Sequence, residues 1–268
     1  MTSEELAVRI RMHAVELTHR VHASHVASVL SIADIIAVLY KDIMYVYPDE
    51  PQHVERDRFV LSKGHAGLAV YAALAERDFF KIEKLETYYQ DGTFLSGHIS
   101  HKNVPGVEFS TGSLGHGVPA AVGMALAAKM DGKRHRVYVA AGDGECEEGS
   151  IWEAALFAAH HELDNLTVIV DCNGFQALGR CREQTGMDKL TEKWRQFGFC
   201  ALECDGHDHS ALKSVLETKK EGKPVCIVAH TVKGKGVSFM EHELLWHYRD
   251  PQGEFYEKAV RELKGEMR

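Results

Sequence analysis

The sequence predicts an α/β domain in which a mostly parallel sheet is covered by helices on both faces. Three observations indicate this class. The apolar runs 137–141 and 166–170 have the pattern of buried strands, and the Ala-rich stretch 152–159 between them has the pattern of a helix. A shorter apolar run, 59–61, likewise ends in a glycine-containing turn and an Ala/Leu-rich stretch. Repeated strand–turn–helix units are typical of parallel sheets, so we treat residues 1–268 as one domain.

Two helices are expected before the first strand. Ser3 can cap a helix whose apolar positions extend from Leu6 to Leu17, and residues 31–40 fit a second helix. The segment between them places His25 among small residues, which suggests a closely packed backbone near a site. A surface histidine is the alternative interpretation.

His65 follows the short strand, at or just before the start of the next helix. A histidine there could donate to a phosphate or to a substrate, and the alternative is a helix-capping role. Residues 96–117 are rich in glycine and histidine and lead into a nearly continuous apolar helix over 118–130. Histidines in such a loop would lie at a sheet edge or a subunit seam, unless the loop is only a flexible connection.

The C-terminal part continues the alternation of helices and strands. The pattern predicts, in order, a loop over 180–187, a helix over 188–197, an edge strand over 199–203, a helix over 210–220, a buried strand over 224–230 and a polar loop over 239–247 that carries Trp246 and His247.

The composition is that of an ordinary globular protein, with 45% hydrophobic residues, 26% charged residues and a net charge of −8. This acidic balance argues against nucleic acid or an anionic membrane as a partner. The six cysteines form no CxxC pair, so neither a zinc site nor a disulfide framework is expected. This cysteine usage suits a reducing compartment. The N-terminus shows no secretion signal and no stretch is apolar enough to span a membrane, so we expect a cytoplasmic protein.

The chemistry-bearing motif is the Gly142–Asp143–Gly144 turn after the strand 137–141. Glycines let the backbone approach a ligand, and a helix N-terminus favours an anion such as a phosphate. Asp143 and the glutamates that follow it would repel a bare phosphate, so a cation must lie between them. The turn therefore predicts a diphosphate bound with Mg²⁺ or Ca²⁺, although alone it also fits a plain acidic turn.

Asn173 lies 30 residues beyond Asp143, immediately after the strand 166–170 and its Asp–Cys extension. The carboxyl ends of parallel strands meet at one edge of a sheet, so the two side chains are expected together. The Asp143 carboxylate, the Asn173 amide and one backbone carbonyl would give a hard cation suitable oxygen ligands.

This spacing resembles the cofactor motif of thiamine diphosphate enzymes, which begins with GDG and ends in Asn. Further motifs, in order, resemble the N-terminal, diphosphate-binding half of the transketolase family. From about residue 9 to residue 250 they are SHVASVLS, DRFVLSKGHA, SGHIS, PGVEFSTGSLGHGVPAAVGMAL, GDGECEEGSIWEA, VDCNGFQ and HTVKGKGVSFMEHELLWH. The family usually has SGHPG at the first histidine, whereas this chain has Ser24-His25-Val26-Ala27, so the turn around His25 is expected to differ.

The resemblance implies roles for individual positions. It implies catalytic roles for His25, His98 and His247, and a metal site formed by Asp143, Asn173 and the carbonyl of Phe175. Cofactor contacts are implied for His65, Gly112, Leu114, Gly144, Glu148, Asn173 and His247. Among these, Glu148 corresponds to a glutamate in a carboxylate network that links two active sites across a dimer.

The activity implied is transfer of a two-carbon ketol unit from a ketose, such as a phosphorylated one, to an aldose, with thiamine diphosphate and Mg²⁺ or Ca²⁺. Histidine suits the proton transfers on sugar hydroxyls because its usual pKa lies near neutrality. Two alternatives stay open. One is half of a 1-deoxyxylulose-5-phosphate synthase-like or 2-oxoacid dehydrogenase-like enzyme. The histidine-rich SKGHA and SGHIS motifs favour sugar substrates over this alternative. The other is a non-catalytic scaffold.

The resemblance also implies a partner. A pyrimidine-binding domain, which would supply the glutamate that activates the cofactor, and a C-terminal domain are expected in a separately encoded subunit, most simply in an α2β2 assembly. The sequence shows no evident partner within this chain for Glu148 or for the glycine-rich loop 112–117. We therefore expect both to face another subunit.

Overall fold

The computed structural model describes residues 1–266, so the last two residues of the predicted domain lie outside the described part. Over those residues the main sheet has five strands, all parallel, in the order β1-β2-β3-β7-β6. A separate two-stranded antiparallel hairpin is formed by β4 and β5. The strands are β1 (Arg58–Leu61), β2 (Val137–Gly142), β3 (Leu166–Cys172), β4 (Phe175–Gln176), β5 (Gly179–Arg180), β6 (Cys200–Asp205) and β7 (Val225–His230).

Helices cover both faces of the sheet, which confirms the predicted class. One core packs α1, α2, α3, α8 and α9 against sheet residues such as Ile169 and Ile227, and the other packs α4, α5 and α7 against Val168 and Cys226. Successive strand residues thus enter opposite cores, as the pleat requires. The helices are α1 (Ser3–Val21), α2 (Val26–Val38), α3 (Gly67–Glu76), α4 (Gly117–Met130), α5 (Gly149–His160), α6 (Cys181–Gln184), α7 (Leu190–Gln196), α8 (His209–Leu216) and α9 (Glu254–Glu266).

The N-terminal helices differ from the prediction in two details. Thr2, not Ser3, caps α1, and it forms a reciprocal capping box with Glu5. The second helix begins at Val26, five residues earlier than predicted, and ends in a π-helical turn, Leu39–Ile43. Every residue of α2 is buried, so packing against α1 and α3 extends the helix through small residues that show no amphipathic period.

Two further differences lie in the C-terminal part. The predicted loop 180–187 instead contains the end of the β4–β5 hairpin and the short helix α6. The helix α9, which the sequence pattern did not indicate, packs on α1 and buries Ala259 and Leu263. The strand β6 lies at the edge of the sheet, as predicted.

Three neighbouring strands end at the same edge of the sheet. Gly142 is in register with Asp171, and Cys172 with His230, so β2, β3 and β7 end side by side. Each of these strands is followed by a loop, and β1 ends next to them. Within residues 1–266, no helix combines the length and apolar character needed to cross a bilayer.

Candidate functional site

A cleft of about 220 Å³ opens at the carboxyl ends of β1, β2, β3 and β7. Clefts at this edge of a parallel sheet commonly bind ligands, because the loops that follow the strands converge there. The residues that line it are Ser28, Lys63, His65, Leu114, Gly142, Asp143, Gly144, Glu145, Glu147, Glu148, Asn173, Phe175, Gln176, Ala177, Lys233 and His247.

Asp143 is a buried carboxylate directly after β2, with 3% of its surface exposed. The backbone N–H of Gly144 donates to its Oδ1 (2.9 Å) and that of Gly174 donates to its Oδ2 (2.6 Å). Among residues 1–266, no Lys or Arg nitrogen lies within 4.0 Å of it. Burial, together with repulsion from Asp171, raises the pKa of Asp143 to about 6. The charge of Lys63 and the two N–H donors favour the ionised carboxylate, but burial and Asp171 outweigh them, and no cationic side chain among residues 1–266 contacts it directly.

Asn173 is held beside Asp143 by the turn that follows β3. Its Nδ2 donates to Ser31 Oγ (3.3 Å), and its Oδ1 accepts from the backbone N–H of Phe175 (3.1 Å). These two contacts fix the orientation of the amide, and both the amide and Phe175 line the cleft.

These residues fit a hard cation. A buried carboxylate without a cationic neighbour, a fixed amide oxygen and a nearby backbone carbonyl are the oxygen donors that Mg²⁺ and Ca²⁺ prefer. In the described part of the chain, no cluster of three or more His, Cys, Asp or Glu side chains could hold a metal by itself. A cation in the cleft would therefore need an amide or carbonyl oxygen of the protein, or oxygens from a ligand, to complete its shell.

Two buried lysines also line the cleft. Lys63, after β1, forms an ion pair with Asp171 and is 2% exposed. Ser31 and Thr231 also donate to the Asp171 carboxylate. Burial opposes ionisation of Asp171, but the charge of Lys63 and these donors outweigh burial and lower its pKa. The ion pair with Asp171 thus holds Lys63 in the lining of the cleft.

Lys233, after β7, is 1% exposed and its Nζ lies 3.0 Å from Nδ1 of His247. Within residues 1–266, no carboxylate lies within 4.0 Å of this ammonium group. Burial and the positive charge of Lys63 lower the pKa of Lys233 to about 8. The cleft therefore combines the buried carboxylate of Asp143 with two buried lysines, an arrangement suited to an anion bound together with a metal.

Four histidines from four separate segments meet beside this cleft. The ring of His25 lies 5.2 Å from that of His65, 5.9 Å from that of His98 and 4.9 Å from that of His247. The other histidines of the glycine-rich loop, His101 and His116, are exposed and bond within that loop instead. The structure therefore brings together all four histidines that the sequence motifs indicated.

His25 occupies an unusual backbone position at the start of α2. Its φ of 73° is left-handed, which is costly for a non-glycine residue, and its N–H donates to the carbonyl of His247 (3.0 Å). Its Nδ1 is buried and has no hydrogen-bond partner in the described part of the chain. A buried, unpaired ring nitrogen at a strained residue indicates a contact with a ligand.

The expectation of histidine pKa values near neutrality is wrong for His25, His65 and His247. Burial, with the positive charges of His98 and Lys233, lowers the pKa of His25 to about 4. Burial and Lys233 lower that of His247 to about 3, and burial and Lys63 place that of His65 well below its usual value. These three rings are therefore neutral at neutral pH and can offer one donor and one acceptor nitrogen each.

The glycine-rich loop contacts the cleft from the side of α4. Leu114 lines the cleft, and Gly112 lies next to His98, whose Cδ2 would be 3.8 Å from a Cβ at position 112. Contrary to the expectation above, the loop does have partners within the chain, whereas among residues 1–266 the exposed Glu148 carboxylate takes part in no hydrogen bond or ion pair. Gly115 N–H donates to Glu145 (2.9 Å), Ser150 Oγ donates to the carbonyl of Gly115 (2.8 Å), and a Cβ at Gly115 would lie 2.7 Å from that of Glu148.

Gly144 begins a 3₁₀ turn, Gly144–Glu147, that separates β2 from α5. The helix therefore starts at Gly149, later than a direct strand-to-helix turn would place it. A Cβ at position 144 would lie 2.6 Å from Cβ of Gln176. The glycine is thus needed for the close approach of the β4–β5 hairpin, in addition to any approach by a ligand.

Three charged residues of the site were not predicted from the sequence: Lys63, Asp171 and Lys233. Each follows or ends a parallel strand, and that position could have indicated them. Glu145 was expected only to repel a phosphate. It instead accepts from Ser62, Gly115 and Gly142 and so joins the loops after β1 and β2.

Comparisons with known proteins agree with this geometry. The family described as "Transketolase, thiamine diphosphate binding domain" matches residues 2–248. A protein of Phocaeicola vulgatus that is named as one subunit of an apulose-4-phosphate transketolase is 42% identical, over 98% of this chain and 94% of the relative. The 6-deoxy-6-sulfo-D-fructose transketolase subunit SqwG of Clostridium sp. is 43% identical, over 96% and 94%. The crystal structure of transketolase from Campylobacter jejuni superimposes with a TM-score of 0.92 at 31% identity, over 98% of this chain and 42% of that one.

Proposed function

The chain belongs to the family of the transketolase thiamine diphosphate binding domain, and on that premise we propose that it is the diphosphate-binding subunit of a two-subunit transketolase. The reaction is transfer of a two-carbon ketol unit from a ketose to an aldose. The observation that carries the proposal is the four-histidine cluster beside a cleft that holds both a buried carboxylate and two buried lysines.

The cleft residues would hold the cofactor and its metal. Asp143, Asn173 and the carbonyl of Phe175 would ligate Mg²⁺ or Ca²⁺, and Lys233 would face the diphosphate. His65, Gly112, Leu114, Gly144 and Glu148 complete the proposed contacts. Thiamine diphosphate, when bound, supplies the electron sink that breaking a carbon–carbon bond beside a ketose carbonyl requires.

The histidines would act on the sugar. His25, His98 and His247 come from three loops, so they can reach different hydroxyl groups of one substrate. Because His25 is neutral, it can accept a proton from a hydroxyl at one ring nitrogen while the other nitrogen donates a hydrogen bond. Lys233 fixes Nδ1 of His247 as an acceptor, which leaves Nε2 of that ring to carry the proton.

A second chain would complete the active site. This chain corresponds to 42% of the C. jejuni transketolase chain but to 94% of relatives that are themselves named subunits. We therefore propose a separately encoded partner with pyrimidine-binding and C-terminal domains, in an α2β2 assembly. Glu148 and the loop 112–117 reach the rim of the cleft, where such a partner would meet them.

The donor would be a ketose with an anionic group at the end far from its carbonyl. The two relatives named above carry the names of a phosphorylated sugar and of a sulfonated sugar. Both sugars combine a ketol unit, which the histidines can contact, with a terminal anion that the partner can bind.

The test is donor screening of the co-purified pair with thiamine diphosphate and Mg²⁺. Ketose phosphates and ketose sulfonates are compared with pyruvate as donors, and an aldose phosphate serves as acceptor. We expect two-carbon transfer, detected by mass spectrometry as an acceptor lengthened by two carbons. A pair that binds the cofactor and consumes pyruvate but no ketose would support the synthase-like alternative. A pair that binds no cofactor would be a scaffold.

A further inference from the structure

The segment 231–234, which carries Lys233 into the cleft, is held by four different parts of the fold. Thr231 Oγ1 donates to Asp171 at the end of β3, and the Val232 N–H donates to Nε2 of His207 (2.8 Å). Lys233 contacts His247, and the Gly234 N–H donates to the carbonyl of Ala27 in α2 (3.1 Å). Each of four successive residues thus has its own anchor.

The hydrogen bond from Val232 connects the segment to a residue outside the cleft. His207 follows β6, and neither its ring nor the residue that holds it lines the cleft. Since a backbone N–H can only donate, Nε2 of His207 is the acceptor and the ring proton is on Nδ1. That Nδ1 donates to Oδ2 of Asp34 (2.6 Å).

Asp34 is itself held rigidly inside the helical layer. It is 4% exposed and forms an ion pair with Arg11 of α1, whose Nε also donates to the carbonyl of Leu30. His209 Nε2 lies 3.0 Å from the other oxygen of Asp34. A chain of bonds therefore runs from Arg11 through Asp34 and His207 to the backbone beside Lys233.

We propose that His207 is a positioning residue: it is held by Asp34 and fixes the 231–234 segment so that the Lys233 ammonium group is preorganised for the anionic end of the cofactor. The inference rests on the proposed function for the identity of that anion, and on geometry alone for the positioning. A lysine has a long flexible side chain, so fixing its backbone reduces the conformational entropy that is lost when it binds an anion.

Two substitutions at position 207 distinguish the effects of the two hydrogen bonds of the His207 ring, one to Asp34 and one from Val232. In His207→Asn, the shorter amide can still donate to Asp34 but cannot reach the Val232 N–H. In His207→Gln, the longer amide places its oxygen near the position of Nε2 and can accept that bond again. His209→Asn is the matched control, because it removes a contact to the same carboxylate and leaves the 231–234 segment untouched.

The first measurement is amide hydrogen exchange of the full chain without cofactor, resolved at Val232. We expect exchange at least tenfold faster in His207→Asn, and within about threefold of wild type in His207→Gln and His209→Asn. A ¹⁵N spectrum of the ring should also show the Nδ1–H tautomer. Unchanged Val232 exchange in His207→Asn, or an Nε2–H tautomer, would overturn the positioning role whatever the chain's function.

The second measurement is calorimetric binding of thiamine diphosphate with Mg²⁺ to the complex with the partner subunit. We expect His207→Asn to weaken binding at least fivefold with kcat unchanged at saturating cofactor, and His207→Gln to restore it. Faster exchange with unaltered cofactor affinity would show that the segment does not position Lys233 for this anion. Absence of cofactor binding by the wild-type complex would contradict the proposed function instead, and the exchange result would stand.

Discussion

Asp143 is a buried carboxylate that accepts from two backbone N–H groups and has no cationic side chain within 4.0 Å among residues 1–266. Asp143→Ala removes the anionic ligand proposed for the metal. The affinity of the assembled enzyme for thiamine diphosphate with Mg²⁺ should fall at least tenfold, or about 1.4 kcal/mol. Calorimetric titration measures it.

A matched control is Glu153→Ala, which makes the same change of charge on the exposed face of α5. Its cofactor affinity should equal that of the wild type. Equal affinities in wild type and in Asp143→Ala would exclude Asp143 as a metal ligand.

The histidines should separate into two kinetic classes. His65 lies in the 3₁₀ turn before α3 and lines the cleft, so His65→Ala should mainly weaken cofactor or substrate binding. His98 lies on a loop and His247 ends the 3₁₀ turn Leu244–His247, and both are proposed to contact sugar hydroxyls, so their replacement by Ala should mainly lower kcat, by about 10²-fold if they transfer protons. Steady-state kinetics distinguishes the classes, and wild-type rates in all three variants would remove these residues from the active site.

His25 should make the fold sensitive to acid. Its folded pKa of about 4 lies below the unfolded value of 6.5, so the unfolded chain binds the proton more readily between these values. The free energy of unfolding should therefore fall as the pH drops from 6.5 towards 4. His25→Asn, which tolerates the left-handed backbone, should show a smaller decrease in urea midpoint between pH 7 and pH 4.5. A decrease as large as in wild type would contradict this origin.

At the scale of single residues, the sequence was sufficient where a residue type is tied to a local motif. Asp143 and Asn173 could be placed side by side because both follow buried strands in a βαβ unit. Lys63, Asp171 and Lys233 also lie at strand ends, but the sequence does not show the burial and the contacts between distant segments that give them their importance. The lowered pKa values of His25 and His247 could not be predicted either, because desolvation depends on the packed cluster.

At the scale of elements, α4 offers a paired test of how tightly a helix start is packed against the loop after β1. A Cβ at Gly117 would lie 2.6 Å from Cα of Ser62, whereas a Cβ at Gly123 would meet nothing within 4 Å. Gly117→Ala should lower the free energy of unfolding by about 1–3 kcal/mol, and Gly123→Ala should raise it by about 0.5–1 kcal/mol. Urea denaturation of the two variants measures both changes. Similar urea midpoints in the two variants would show that the loop after β1 moves readily to accommodate a Cβ at position 117.

Which elements could be predicted follows from how each is stabilised. The strands β2, β3 and β7 are short apolar runs buried on both faces, so the sequence marks them clearly. The start of α2 was missed because its first turn depends on burial rather than on periodicity. The β4–β5 hairpin was missed because two residues per strand leave no pattern, and its position depends on contacts such as Tyr248 Oη to the carbonyl of Ala177 (2.7 Å).

At the scale of the whole molecule, we predict that the chain alone shows no ketol transfer and gains it with the partner subunit. The cleft holds groups for a diphosphate and a metal, and its rim at Leu114 and Glu148 is open to a second chain. An obligate subunit interface usually buries more than about 2,000 Å² of largely apolar surface. Without its partner the chain would expose that surface, so the isolated chain should self-associate. The assay is two-carbon transfer by the purified chain, with and without the partner, together with the mass of the complex by light scattering. Robust turnover by the single chain would refute the two-subunit assignment.

The anchoring of residues 231–234 has a consequence for how this protein can vary in evolution. The hydrogen bonds of Val232 are made by its backbone, whose N–H donates to His207 and whose carbonyl accepts from Lys235, so many side chains should be accepted at that position. A change in length is different, because one inserted or deleted residue would shift every later donor away from its own anchor. A library of single-residue insertions should therefore be depleted at this segment and enriched at an exposed turn such as that at Gly132, where chain length is unconstrained by the cleft.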